Sequence, residues 1–157
     1  MSETGGPRNL ETIDEILEFA IQMEQRSQRF YTGWAQRLDN PAVSEVFLEF
    51  AEEERRHEAL IEDVRSGKQA LRLRGGVGDL KLSDHFVPPK ATEEMGYQDA
   101  LLLAVKREVG AITLYDNLSN RSEDKSLGET FAALAEEERR HKLRLETIYD
   151  DTFMRED

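Results

Sequence analysis

The chain has 157 residues, enough for one domain with a single sizeable core, and its 34% charged and 38% hydrophobic residues with four prolines suit a helical protein. Its 33 acidic residues against 21 basic ones leave a net charge of −12, which is repelled by phosphate backbones and anionic lipid, so no nucleic acid and no membrane partner is expected. There is no cysteine, which excludes disulfides, thiolate zinc sites, iron–sulfur clusters and a rubredoxin-type iron centre in these residues.

In chain order, Met1–Asn9 is polar and lacks the apolar run of a signal peptide. No stretch approaches the ~18 apolar residues of a membrane helix, so the expected location is the cytoplasm. From Ile13, apolar residues recur in steps of four and three through Leu17, Ala20, Ser27, Tyr31, Trp34 and Leu38, with position 24 on the same line. This predicts a first helix over about 12–38. Asp39-Asn40-Pro41 breaks it, with Asn40 suited to cap a second helix over about 41–66 and Pro41 to its first position. That helix carries Phe47, Phe50, Ile61 and Val64 on one stripe, together with positions 54 and 57.

A segment of about 67–96 follows, with Gly67, Gly75-Gly76, Gly78 and Pro88-Pro89 and no helical period. A loop this long calls for a reason, and a crossover running the length of a helix supplies it. A third helix is predicted over about 97–121, on the stripe Tyr97, Leu101, Ala104, position 108, Ala111, Tyr115 and Leu118. A fourth is predicted over about 126–149, with Ser126 and Glu129 at capping-box spacing and the stripe Phe131, Leu134, Leu145 and Ile148. The expected fold is all-α: an antiparallel four-helix bundle in one domain, with one long crossover between two helix pairs.

The helix pairs are copies. Ala-Glu-Glu-Glu-Arg-Arg-His stands at 51–57 and again at 135–141, and the offset of 84 also maps Leu17 onto Leu101, Glu24 onto Glu108, Tyr31 onto Tyr115 and Phe47 onto Phe131. The stripe positions passed over above are Glu24, Glu54, His57, Glu108, Glu138 and His141. Each interrupts an apolar line, where an isolated carboxylate would cost several kcal/mol or take up a proton. Glu54 and His57, like Glu138 and His141, are three apart and share a helix face. A lone Glu-x-x-His on a charged helix is ordinarily solvated. Two in duplicated register, with two more glutamates on apolar stripes, predict a metal site at a pseudo-two-fold axis, half from each copy. Carboxylate and imidazole suit iron or manganese, and four glutamates balance two divalent ions. One Glu on each of two helices and Glu-x-x-His on the other two is the established pattern of di-iron and di-manganese carboxylate bundles.

These motifs resemble the ferritin-like superfamily, and within it the rubrerythrin-like branch. The likeness rests on Glu24 followed by Phe30-Tyr31, on Glu54-Arg55-Arg56-His57, on Glu108 followed by Tyr115, and on Glu138-Arg139-Arg140-His141. It implies a ferritin-like bundle binding two iron ions, with manganese or zinc as alternatives, that reacts with dioxygen or hydrogen peroxide using a separate electron donor. Glu54 and Glu138 would bridge the metals, Glu24 and Glu108 bind at the outer sides, and His57 and His141 take one metal each.

There are two departures. Ala111 stands where rubrerythrins carry a further glutamate, and there is no rubredoxin domain to deliver electrons. Bacterioferritin shares the six-ligand set, but Arg55 replaces its haem-binding methionine. Tyr31 and Tyr115, two turns beyond Glu24 and Glu108, are either hydrogen-bond donors to the ligand carboxylates or core tyrosines. Trp34 is expected in the core or at a subunit contact, and His85 has no partner at ligand spacing. A homodimer is the expected assembly. The competing functions are a peroxide- or oxygen-using oxidoreductase, a ferroxidase or iron-handling protein, and a bundle whose metal is only structural and which binds partners.

Overall fold

The computed structural model describes residues 12–67, 70–77 and 95–154. Its helices are α1 (Ile13–Arg37), α2 (Pro41–Arg65), α3 (Tyr97–Arg121) and α4 (Lys125–Tyr149), each of 25 residues, and α4 runs on into a π-helical turn, Asp150–Met154. At 1.5 Å per residue each helix is about 37 Å long. None is long and apolar enough to cross a membrane. The chain forms two compact units, one spanning Glu11–Leu71 and built on α1 and α2, the other built from Arg72 onward on α3 and α4.

The first unit is an antiparallel hairpin. Thr12 and Glu15 form a capping box at the start of α1: Thr12 Oγ1 accepts from the Glu15 amide at 3.1 Å, and Glu15 Oε1 accepts from the Thr12 amide at 3.2 Å. Asn40 caps α2 as its position predicts, with Oδ1 accepting from the amides of Ala42 and Val43, and Pro41 opens the helix. Arg65, in the last turn of α2, pairs with Asp14 in the first turn of α1 at 2.9 Å, tying the open end of the hairpin. Tyr31, wholly buried, meets Phe30, Phe47 and Phe50 edge-on at 5.3 Å between ring centres. Trp34 is buried too, with the Arg37 guanidinium 3.8 Å above its ring.

In the second unit α3 and α4 pair antiparallel across a tight turn. The Ser126–Glu129 capping box is not formed. Asp124 is the cap, its Oδ1 accepting from the Leu127 amide at 2.9 Å. Starting the helix at Lys125 leaves Ser126 already inside the first turn, where its backbone is helical and cannot serve as a cap. Gly128 lets α4 approach α3 closely, because a Cβ there would stand 3.2 Å from the Ser119 carbonyl oxygen. Ser119 Oγ also donates to the Gly128 carbonyl at 2.8 Å.

Of the expected crossover, Gly67, residues 70–77 and residues 95–96 are described, and His85 lies outside the described residues. Residues 72–76 lie along the end of α3. Leu73 bridges Ser122, the Arg74 amide donates to the Arg121 carbonyl, and the Arg121 guanidinium donates back to the carbonyls of Arg74 and Gly76. The turn needs left-handed backbone at Gly75 and Gly76, with φ of 77° and 73°.

Candidate metal centre

Each hairpin buries the same three polar side chains. In the first, Glu24 on α1 and Glu54 on α2 are 1% exposed and His57 is 3%. His57 Nδ1 lies 3.1 Å from Glu54 Oε1 on its own helix and 3.5 Å from Glu24 Oε2 across the hairpin. In the second, His141 Nδ1 lies 3.2 Å from Glu138 Oε1 and 3.5 Å from Glu108 Oε2. Three-residue spacing puts each Glu–His pair on one face, and antiparallel pairing brings the third carboxylate to the same height. Within each hairpin the three side chains can offer donor atoms within 4.8 Å of one another.

Each of the six positions singled out from the stripes is therefore buried, three together in each hairpin. Tyr31 and Tyr115 are also wholly buried; Tyr115 stacks on Phe131 at 6.1 Å. Arg55 pairs with Glu52, Arg56 with Glu53 and Arg139 with Asp116 and Glu136, all toward solvent, so these cations stay outside the trios. Ala111 is buried one turn beyond Glu108, and Ser27 occupies the matching place beyond Glu24.

Charge decides what these trios can do. Among the described residues four glutamates and two histidines are buried, and no lysine or arginine is buried with them. Burial pushes the Glu108 carboxyl up to about 8, and the nearby charge of Glu138 adds to the rise against the opposing pull of His141. Burial acts on His141 the other way, favouring the neutral ring, but hydrogen bonds and charge from Glu108 and Glu138 outweigh it and push the imidazole up to about 11. Both shifts report one demand, for positive charge beside buried carboxylates. Divalent cations meet it, and oxygen with imidazole nitrogen is a donor set that suits iron, manganese or zinc. The residues present fit a metal.

Periodicity did not reveal how the Glu58 carboxylate is held. Gln25 Nε2 and Gln28 Nε2 each donate to it at 2.7 Å, beside His57. The signal was present in two glutamines one turn apart on α1, but nothing in the sequence named their acceptor.

The rubrerythrin family model matches residues 15–77 and 99–157, which take in both hairpins. A Thermotoga maritima protein described as ferritin-like and diiron-carboxylate has a similar structure, with a TM-score of 0.72 and 17% identity over 93% of this chain and 99% of that one. A hypothetical protein of Pyrococcus furiosus is similar over 88% of this chain and 89% of its own, with a TM-score of 0.68 and 27% identity. No curated protein sequence matches. The fold is thus that of ferritin-like diiron-carboxylate proteins, and the family's match spans the buried trios of both hairpins. The chain belongs to the rubrerythrin family.

Proposed function

We propose that the two trios join as halves of one di-iron site in a single ferritin-like domain, and that the protein is an oxidoreductase reducing hydrogen peroxide or dioxygen with electrons from a separate donor. The observation that carries this reading is that, among the described residues, four carboxylates and two imidazoles are buried and no lysine or arginine is buried with them. Family membership and the matching trios support the pairing. The carboxylates of Glu24, Glu54, Glu108 and Glu138 and the imidazoles of His57 and His141 would hold the iron, with Glu54 and Glu138 shared between the two ions as the family resemblance implies. Bound iron supplies the redox change, with two electrons and two protons converting peroxide to two waters. The side chains supply position and charge: the glutamates balance the cations, and the histidines ligate once neutral. The apolar residues around them keep bulk water out.

Metal analysis of protein purified without chelators, followed by stopped-flow mixing of the diferrous form with peroxide and with oxygen, tests the reading. Two ions per chain and steady turnover with peroxide and a donor are expected. Anomalous scattering that shows one ion, or ions bound elsewhere, overturns the site. Iron oxidation without turnover on an added donor would favour the ferroxidase.

A further inference from the structure

Besides the two trios, two serines are buried among the described residues, Ser27 at 7% exposure and Ser122 at 6%. Ser122 has a local task, since its hydroxyl donates to the Asp124 carbonyl at 2.9 Å. Ser27 has none of that kind. Helical hydroxyls elsewhere in the chain donate back to the carbonyl four residues earlier, as Thr130 does to Ser126 at 3.1 Å and Thr147 to Leu143 at 3.0 Å. Ser27 makes no such bond, nor any other with the described residues. A buried hydroxyl without a partner costs stability, and a group of that kind calls for a ligand to account for it.

Its place in the hairpin narrows the ligand. Glu24, Ser27 and Tyr31 follow one another in steps of three and four on one face of α1. Across the hairpin, Glu24 reaches His57 at 3.5 Å, and Tyr31 meets Phe50 at 5.3 Å between ring centres. Glu54 stands three residues before His57 and four after Phe50, the same spacing run in reverse, so Ser27 lies level with Glu54. The hydroxyl is thus one turn from one carboxylate of the trio and level with the other. The second hairpin keeps this register through Glu108 and His141, but there the residue level with Glu138 is Ala111, which has no proton to give. A hydroxyl donates without adding negative charge, whereas a further carboxylate would repel an incoming anion.

We propose that the Ser27 hydroxyl donates a hydrogen bond to the small anion or oxidant that the iron-loaded site takes up, and so directs that ligand to the α1–α2 side. The ligand class is a short oxygen or nitrogen species with a free lone pair: peroxide as substrate, azide as probe. Ser27 adds nothing to the charge balance of the cations, which the carboxylates already supply, so its proton stays available to the ligand. The proposal rests on the reading that the trios bind iron, and it adds to that reading a residue that receives the oxidant.

Azide titration of the diferric protein, followed by its charge-transfer absorption, tests it, with iron content measured first. Ser27→Ala keeps the iron content of wild type and raises the azide dissociation constant about tenfold or more, the loss of one hydrogen bond to a charged partner. The metal-free protein supplies a readout independent of iron. There Ser27→Ala keeps or raises the urea midpoint, because it replaces a buried hydroxyl that lacks a partner with a better helix former. Ser122→Ala, which gives up a hydrogen bond that is made, lowers that midpoint and leaves azide affinity unchanged. A wild type that takes up no iron overturns the metal reading, and this proposal with it, before azide is added. With iron bound, an unchanged azide affinity in Ser27→Ala overturns the proposal alone. So does a Ser27→Ala protein that loses its iron or unfolds at lower urea, since either gives the hydroxyl a structural task.

Discussion

His141 Nδ1 stands 3.5 Å from Glu108 Oε2 on the neighbouring helix, the same separation as His57 Nδ1 from Glu24 Oε2 in the other hairpin. A buried imidazole between carboxylates holds its proton tightly, and a metal that takes its place must displace that proton.

The pH dependence of the metal-free protein follows from this. His141, raised from 6.5 to about 11, contributes stability that is fully present below pH 6.5 and lost as pH rises through about 11. Glu108, raised from 4.5 to about 8, acts in the same sense: folding favours its protonated form, and that contribution is lost as pH rises from about 4.5 through 8. Urea unfolding in the presence of a chelator should therefore show a contribution from these groups that weakens from pH 5 to 8, with a flatter profile for Glu108→Gln. Metal affinity should run the opposite way, rising over the same interval and falling away below about pH 6, with protons released on binding near pH 7. Equal metal occupancy at pH 5 and 7.5 would contradict histidine ligation.

Glu54→Ala and Glu138→Ala should each abolish the paired metal site while leaving a folded, helical apo protein, because each removes a buried carboxylate together with the cation it called for. Added metal should stabilise wild type by about 2.7 kcal/mol at a hundredfold excess over its dissociation constant, and both variants by much less. Variants that keep two metals and full oxidation rates would place these glutamates outside the site.

The start of α4 offers a structural test. Asp124→Ala should cost about 1 kcal/mol, the usual loss for a helix cap, and Ser126→Ala no more than a few tenths. Comparing unfolding midpoints in urea checks both. A larger loss at Ser126 would restore the capping box that its spacing to Glu129 suggests.

Ala111 is buried one turn beyond Glu108, where rubrerythrins carry a further glutamate. With only a methyl there, wild type should reduce peroxide more slowly than such a site, and Ala111→Glu should shift the rate ratio of the diferrous form toward peroxide over oxygen. The extra buried carboxylate should also cost the metal-free protein about 1–3 kcal/mol. A wild type that already prefers peroxide strongly would show that oxidant choice is set elsewhere.

Helix limits, the two pairs and the six polar interruptions of the apolar stripes were legible in the amino-acid order, because each depends on spacing within one helix or on repetition along the chain. Leu101, Glu108 and Tyr115 had to share a face whatever surrounds them. What lies between helices was not legible. The contacts of His57 with Glu24 and of His141 with Glu108, the Gln25–Glu58–Gln28 hydrogen bonds and the close pass of Gly128 by Ser119 depend on the relative height and rotation of paired helices, and residue spacing within either helix leaves both free. The cap of α4 failed from sequence for a related reason. Asp124 and Ser126 are both good caps, and it is the turn held by Ser119, Ser122 and the backbone bonds of residues 72–74 that starts the helix at Lys125.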